Sequence, residues 1–135
     1  MSVITANIKV IMLVSGVLTT TMIYAAVFPE AAMMATFGET FASPATEIVV
    51  RNWGALITLV GAFLIYGAFK PEARNAALAI AGISKLVFVV LVLSQGALYL
   101  GHQAGIAVAV DSLWVVLFAT YVFGHGLAQP KNSGG

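Results

Sequence analysis

The chain contains no cysteine and few charged residues. Its 135 residues include six Lys or Arg and five Asp or Glu, so charged residues make up 8% of the sequence, against roughly 25% in a soluble globular domain. The lack of cysteine excludes disulfides, thiolate catalysis, cysteine-ligated metals and dithiol redox chemistry. A net charge of +1, with no basic cluster, gives no sign of nucleic-acid binding.

Long apolar runs dominate the sequence instead, and hydrophobic residues make up 61% of it. The four runs cover residues 10–28, 48–69, 76–100 and 106–123. About 20 apolar residues suffice to cross a hydrocarbon core of roughly 30 Å. The sequence therefore predicts an all-α polytopic membrane protein, with a four-helix transmembrane domain at 1–128 and a flexible cytoplasmic tail at 129–135.

Two segments of the first half need separate interpretation. The first run is long for a signal peptide and is interrupted by Thr19, Thr20 and Thr21, which favours a retained helix over a cleaved leader. The segment 30–44 is too short to span. Its mixture of apolar and polar residues predicts either a short amphipathic helix at the membrane interface between helices 1 and 2, or a packed loop.

The distribution of Lys and Arg predicts the orientation of the chain. One side of the predicted bundle holds Lys9, Lys70, Arg74 and Lys131, whereas only Arg51 lies near the other side. Lys and Arg accumulate in short cytoplasmic loops. We therefore predict that both termini are cytoplasmic and that, in a bacterium, the protein lies in the inner (plasma) membrane.

A group of polar and ionisable residues inside or beside the runs is the candidate site. This predicted polar cluster consists of Glu47, Arg51, Asn52, Lys85, Gln95, Tyr99 and Asp111. At about 1.5 Å per helical residue, Arg51 and Asp111 lie at similar depths. We predict that Arg51 faces the bundle interior and contacts Asp111, Glu47 or both. Such pairs either fix helix packing or form an Arg-centred pocket for an anionic or polar headgroup.

Lys85 lies deeper, roughly 15 Å from its end of helix 3 and so near the membrane midplane. It can snorkel towards the cytoplasmic side, pair with Asp111, or act as a titratable or substrate-contacting group. His102 and His125 lie at opposite ends of their helices, and no His or carboxylate group has metal-ligand spacing. We therefore predict no metal and no cofactor.

Small residues on two helices predict close packing against a neighbour. They are Gly54 and Gly61 on helix 2, and Ala77, Ala81 and Gly82 on helix 3. Small residues let helix backbones approach closely in lipid. With only four spans, we expect some of these faces to meet another chain, in a homo-oligomer or a larger assembly.

Two stretches resemble a known family. The run Arg51-Asn52-Trp53-Gly54-Ala55-Leu56, followed by Gly61-Ala62-Phe63-Leu64-Ile65-Tyr66-Gly67, resembles the helix 2 region of small bacterial four-helix membrane proteins of the DoxX-like group. The run Gly82-Ile83-Ser84-Lys85 on helix 3 is also similar. The resemblance covers helices 2 to 4 and implies a four-helix bundle. Some members are accessory or redox-associated subunits, which implies a partner that holds a cofactor, but no active site carries over.

These observations favour a non-catalytic integral membrane protein. The first hypothesis is an accessory or scaffolding subunit of a larger membrane complex, or a homo-oligomer, whose partners are membrane lipids, other subunits or itself, and no nucleic acid. The alternative is a small transporter or a lipid- or quinone-binding protein that uses the intramembrane Arg, Asp and Lys residues. An enzyme is the weakest hypothesis because no catalytic motif is present.

Overall fold

The structure, a computed structural model, describes the backbone of residues 2–128 and the side chains of residues 3–124. The tail predicted at 129–135, with Lys131, and the side chain of His125 lie outside the described residues. Within them the regular structure is entirely helical. The helices are α1 (Ser2–Ala6), α2 (Ile8–Thr20), α3 (Ile23–Val27), α4 (Pro29–Phe37), α5 (Pro44–Phe69), α6 (Pro71–Leu93) and α7 (Gln103–Ala128).

Four stretches of helix are long and apolar enough to cross a membrane. They are Ile8–Val27, Pro44–Phe69, Pro71–Leu93 and Gln103–Gly124. The first consists of α2 and α3, which are joined by a turn at Thr21 and Met22. The predicted all-α fold with four spans is thus confirmed. The segment between the first two spans forms the helix α4 rather than a loop.

Proline sets where three of the helices begin. The first residues of α4, α5 and α6 are Pro29, Pro44 and Pro71. Proline suits this position because it lacks the N–H that would have no partner there and its φ is already helical. Proline also disfavours a helical conformation in the residue before it, and Lys70 is accordingly extended. Lys70 alone therefore separates α5 from α6, which form a tight hairpin.

Arg74 stabilises this hairpin by binding the end of α5. Its Nε donates to the carbonyl oxygen of Gly67 at 3.2 Å, and its Nη2 donates to that of Ala68 at 2.9 Å. The last carbonyls of a helix have no partner within the helix, and a cation also interacts favourably with the helix dipole there. We call this end of the bundle, which also holds Lys70, the Lys70 end, and the opposite end the α4 end.

The helices pack in the order α2, α5, α6, α7, each along the next. α3 also packs on α5, while α4 contacts α3, α5 and α7, and α1 contacts α7. In the described part of the chain, α2 and α7 have at most marginal contact. The ring of helices is therefore open between α2 and α7 along its middle, and is bridged by α1 at one end and α4 at the other.

Two apolar clusters hold the bundle together. The larger lies towards the Lys70 end and contains Met12, Leu64, Leu78, Phe118 and Tyr121, all almost fully buried. The smaller joins α6 to α7 towards the α4 end, through Val89, Val92, Ala104 and Val108. The larger cluster closes the Lys70 end of the bundle with side chains from α2, α5, α6 and α7.

The small residues of α5 pack against other helices of the same chain. A Cβ added at Gly54 would lie 2.7 Å from the backbone nitrogen of Ala26, and one at Gly61 would lie 2.8 Å from the backbone nitrogen of Thr20. Ala77 and Ala81 on α6 are also buried inside the bundle. These faces pack against the chain's own helices, so they give no indication of a second chain. The predicted homo-oligomer or larger assembly stays a prediction.

Candidate functional site

An ion pair lies between α6 and α7 in the middle of the bundle. Lys85 on α6 places its Nζ 3.1 Å from Oδ1 of Asp111 on α7. The side chains are 9% and 19% exposed, respectively. Of the three interpretations of Lys85 given by the sequence, the structure contains the pair with Asp111, and the side chain does not snorkel towards the Lys70 end.

Thr19 of α2 joins the same pair. Lys85 Nζ donates a second hydrogen bond to Thr19 Oγ1 at 3.1 Å. The Thr19 hydroxyl in turn donates to the carbonyl oxygen of Ser15 at 2.6 Å, so its oxygen presents lone pairs to the ammonium group. Three helices thus meet through one ammonium group. Thr19 is not among the residues of the predicted polar cluster, although its place in the middle of an apolar run, at about the depth of Lys85, indicates it.

A cavity of about 440 Å³ adjoins the ion pair. We call it the central cavity. Its polar lining consists mainly of Thr19, Thr36, Ser84, Lys85, Gln103 and Asp111. Its apolar lining includes Trp53, Ile57, Phe88, Ala107 and Trp114. A mostly apolar wall with a few converging polar groups is typical of small-molecule sites, which commonly measure about 300–1,000 Å³.

The mouth of the central cavity lies where the ring of helices is open. Leu18 on α2, and Ile106 and Val110 on α7, line the cavity, and their side chains are exposed on the outer surface of the bundle. This outer surface is apolar and belongs to helices that can span a membrane. The cavity thus reaches an apolar surface of the bundle between α2 and α7.

Aromatic side chains pack against one another at the α4 end of the bundle. The ring of Phe37, at the end of α4, lies 6.2 Å from that of Trp53 and 5.2 Å from that of Tyr99. Trp53 stacks on Phe88 at 6.4 Å. Contacts of this kind add about 0.5–1.5 kcal/mol each beyond the area that they bury. They hold α4 across the end of the bundle, with buried Thr36 facing the cavity.

Two contacts join the loop after α4 to the loop between α6 and α7. The Tyr99 hydroxyl donates to Glu39 Oε1 at 2.9 Å. This hydrogen bond raises the pKa of Tyr99 above its ordinary value of 10.0, with smaller contributions from burial and from the Glu39 charge. Gly38 ends α4 at φ +71°, and the His102 ring occupies the space where a Cβ at Gly38 would lie. Tyr99 therefore belongs to this junction rather than to a cluster around Arg51.

Arg51 lies outside the bundle interior, which corrects the prediction that it faces inward. Its Nη2 and Nε both lie 3.1 Å from Glu47 Oε1, one turn away, and the two side chains are 52% and 43% exposed. The predicted contact with Glu47 is present, but Asp111 is paired with Lys85 instead. The reason is the direction of the side chain around α5: Val50 and Gly54 face the neighbouring helices, and Arg51 is about 100° further round.

The predicted polar cluster is therefore divided. Lys85 and Asp111 line the central cavity, whereas Glu47 and Arg51 line a separate shallow hollow beside Phe28 and Glu30. Asn52 is exposed on α5, and Gln95 is exposed in the loop after α6. In the described part of the chain, Arg51 lines only this shallow hollow, and the larger cavity is lined by Lys85 and Asp111 instead.

Comparison with known proteins gives no relative. No family model, curated protein or solved structure matches the chain, so the resemblance to the DoxX-like group stays a prediction. Among the described residues, no group of three or more His, Cys, Asp or Glu side chains could hold a metal ion. The chemistry of the site must therefore be argued from the ion pair and the cavity.

Proposed function

We propose that this chain binds an amphipathic small molecule from the membrane in the central cavity. The polar end of the ligand contacts the pair of Lys85 and Asp111, and its apolar part lies between α2 and α7. The observation that carries the proposal is a mostly buried ion pair in the wall of a cavity that reaches the apolar surface between α2 and α7. Ionisable residues inside a membrane are costly, and they commonly mark a functional site.

The shape of the cavity restricts the class of ligand. A volume of about 440 Å³ suits one ring system or one acyl chain with a small polar end, as in a single-chain lipid or a quinone. Trp53, Phe88 and Trp114 offer flat apolar surfaces to such a molecule. Its polar end can form hydrogen bonds with the ion pair and with the other polar residues of the lining.

Binding is better supported than transport. A transporter must expose its site to each side of the membrane in turn. The apolar cluster of Met12, Leu64 and Phe118 fills the Lys70 end of the bundle, and α4 covers the other end. The cavity reaches the apolar surface between α2 and α7, which suits entry of a ligand from the membrane.

A pair of phenylalanine substitutions on α7 tests the proposal. Ala107 lines the central cavity, whereas Ala109 is exposed on the outer surface of the same helix. Ala107→Phe should fill the cavity and Ala109→Phe should leave it free. The measurement is native mass spectrometry of protein purified in mild detergent, followed by extraction and identification of the bound small molecules.

We expect the wild type and Ala109→Phe to retain the same small molecule, and Ala107→Phe to lose it. An identical set of bound molecules in all three proteins, or none in the wild type, would contradict the proposal. If a second protein or a second copy co-purifies in a fixed ratio, the accessory-subunit or homo-oligomer hypothesis from the sequence gains support.

A further inference from the structure

We infer that the ligand of the central cavity carries no net charge, and that Asp111 is the residue that excludes anions. The inference rests on the proposed function, since it specifies the class of molecule bound at that site. It follows from how the charges in the cavity wall are paired. An anionic headgroup, which the sequence suggests from the guanidinium group of Arg51, does not suit this cavity, because Arg51 lies outside it.

The charges that line the cavity cancel. Among the described lining residues, Lys85 carries the one positive charge and Asp111 the one negative charge, and the two groups lie 3.1 Å apart. An anionic ligand would have to compete with Asp111 for the ammonium group and lie beside a carboxylate of its own sign. A cationic ligand would meet the same difficulty with Lys85. Each charge would also lose its hydration on entry, with no free counter-charge to offset that loss.

The pair nevertheless has hydrogen-bonding capacity left. An ammonium group has three N–H donors, and Lys85 uses one on Asp111 and one on Thr19. Asp111 accepts from Lys85 through Oδ1, so its second oxygen remains an acceptor. Ser84 and Gln103 add a hydroxyl and an amide to the wall. This set suits an uncharged polar end with a carbonyl or a hydroxyl group, such as an ester, a ketone or an alcohol.

The tryptophans of the chain provide a direct measurement of binding. The chain has two tryptophans, and both Trp53 and Trp114 line the central cavity. The probes are stearic acid with a nitroxide on its chain, and the methyl ester of the same molecule. Both quench tryptophan fluorescence at short range, and they differ in charge and by one methyl group. The titrations use bilayer vesicles at about pH 9, where the free acid is ionised, and Ala107→Phe measures the quenching that arises from the surrounding bilayer.

For the wild type we expect the quenching by the ester to saturate. The acid should need a concentration about tenfold higher or more to give the same quenching. Asp111→Asn removes the carboxylate and leaves Lys85 without a counter-charge, so the acid should then bind at least about tenfold better than the ester. Glu47→Gln is the matched control because it removes a carboxylate that lies outside the cavity, and it should keep the preference of the wild type.

A double variant keeps the test valid if Asp111→Asn does not fold. Lys85→Gln combined with Asp111→Asn removes both charges and keeps polar side chains of similar size, so the ester should remain preferred. If the acid binds the double variant as well as the ester does, the inference is overturned, because an anion would then enter a cavity that offers it no counter-charge.

The titrations separate the two proposals. If neither probe gives saturable quenching of the wild type beyond that of Ala107→Phe, the proposed function itself fails. If both probes bind equally, or the acid binds better, the site binds amphiphiles but the inference about charge is wrong. An Asp111→Asn protein that folds and still prefers the ester would overturn the role given to Asp111.

Discussion

Gly16 and Gly61 face each other where α2 crosses α5, and neither position has room for a side chain. A Cβ at Gly16 would lie 3.0 Å from the carbonyl oxygen of Gly61, and a Cβ at Gly61 would lie 2.8 Å from the carbonyl oxygen of Gly16. Because these neighbours are backbone atoms, a Cβ at either glycine would push the helices apart. Close backbone approach is a main source of helix association in lipid, where apolar burial gives little drive.

Gly61→Ala should therefore destabilise the protein by about 1–3 kcal/mol, the usual cost of overpacking a tight contact. The measurement is thermal unfolding in detergent, followed by circular dichroism. Gly82→Ala on α6 is the control, since a Cβ there would lie 4.0 Å from Phe118 Cδ2, an ordinary contact distance. The control should unfold as the wild type does. Equal unfolding temperatures for both variants would contradict the tight crossing.

The ion pair of Lys85 and Asp111 should show strong coupling in a double-mutant cycle. Lys85→Met removes the cation and leaves a mostly buried carboxylate without its partner, which costs about 3–5 kcal/mol. Lys85→Met combined with Asp111→Leu removes both charges and should recover most of that loss. The same unfolding measurement applies. If the effects of the two single substitutions simply add in the double variant, Lys85 and Asp111 do not interact in the protein in detergent.

Arg51→Ala should have a small effect, within about 1 kcal/mol. The sequence predicts a large loss because it places Arg51 inside the bundle. In the structure Arg51 and Glu47 form a half-exposed pair one helical turn apart, and exposed pairs of this kind contribute little to stability. Glu47→Gln should be equally mild. A loss as large as that of Lys85→Met would show that Arg51 is buried against a neighbour.

The helices could be predicted because each rests on local signals. The second apolar run, 48–69, ends at the same residue as α5, and Pro44 explains the earlier start of that helix. The third run extends to Leu100, but α6 ends at Leu93. The polar residues Ser94 and Gln95 follow α6 directly, and Gly96 adopts φ +66° in the same turn. The apolar residues after Gly96 continue the run without continuing the helix.

The site could be predicted only in part, because depth along a helix does not give direction around it. The sequence places Lys85 deeper than Asp111 and allows the two to pair, and in the structure they meet. Arg51 was placed at the depth of Asp111, yet it points to another side of α5. The contacts of Lys85 with Thr19 and of Glu39 with Tyr99 join residues that are 66 and 60 positions apart. Contacts between residues so far apart in the sequence depend on how the helices pack, and a local sequence pattern does not specify that packing.

The hydrogen bond between Tyr99 and Glu39 predicts a measurable titration. Tyr99 lies in the loop between the third and fourth spans, and its pKa is raised because its hydroxyl donates to Glu39. A raised pKa means that the contact is fully present below the unfolded pKa of about 10 and is lost as the pH rises through the higher folded value. The absorbance of tyrosinate, taken as the difference between the wild type and Tyr99→Phe, follows this residue alone.

Glu39→Gln should bring the pKa of Tyr99 back towards its ordinary value, because the charged acceptor is removed. Glu30→Gln, which changes an exposed carboxylate of the first turn of α4, is the matched control and should leave the titration of Tyr99 unchanged. A titration that is the same in the wild type and in Glu39→Gln would show that the hydrogen bond does not persist in solution.

The orientation of the chain can be measured because the sequence has no cysteine, so any introduced cysteine is the single reactive thiol. Thr40 lies exposed in the loop after α4, and Asn75 lies exposed near the start of α6, at the Lys70 end. The excess of Lys and Arg at the Lys70 end predicts that this end is cytoplasmic.

In intact bacterial cells, a maleimide that cannot cross membranes should label Thr40→Cys, whereas Asn75→Cys should react only after the membrane is permeabilised. Neither substitution alters a charge, so the signal that directs insertion is preserved. Labelling of Asn75→Cys alone in intact cells would mean that the chain has the opposite orientation.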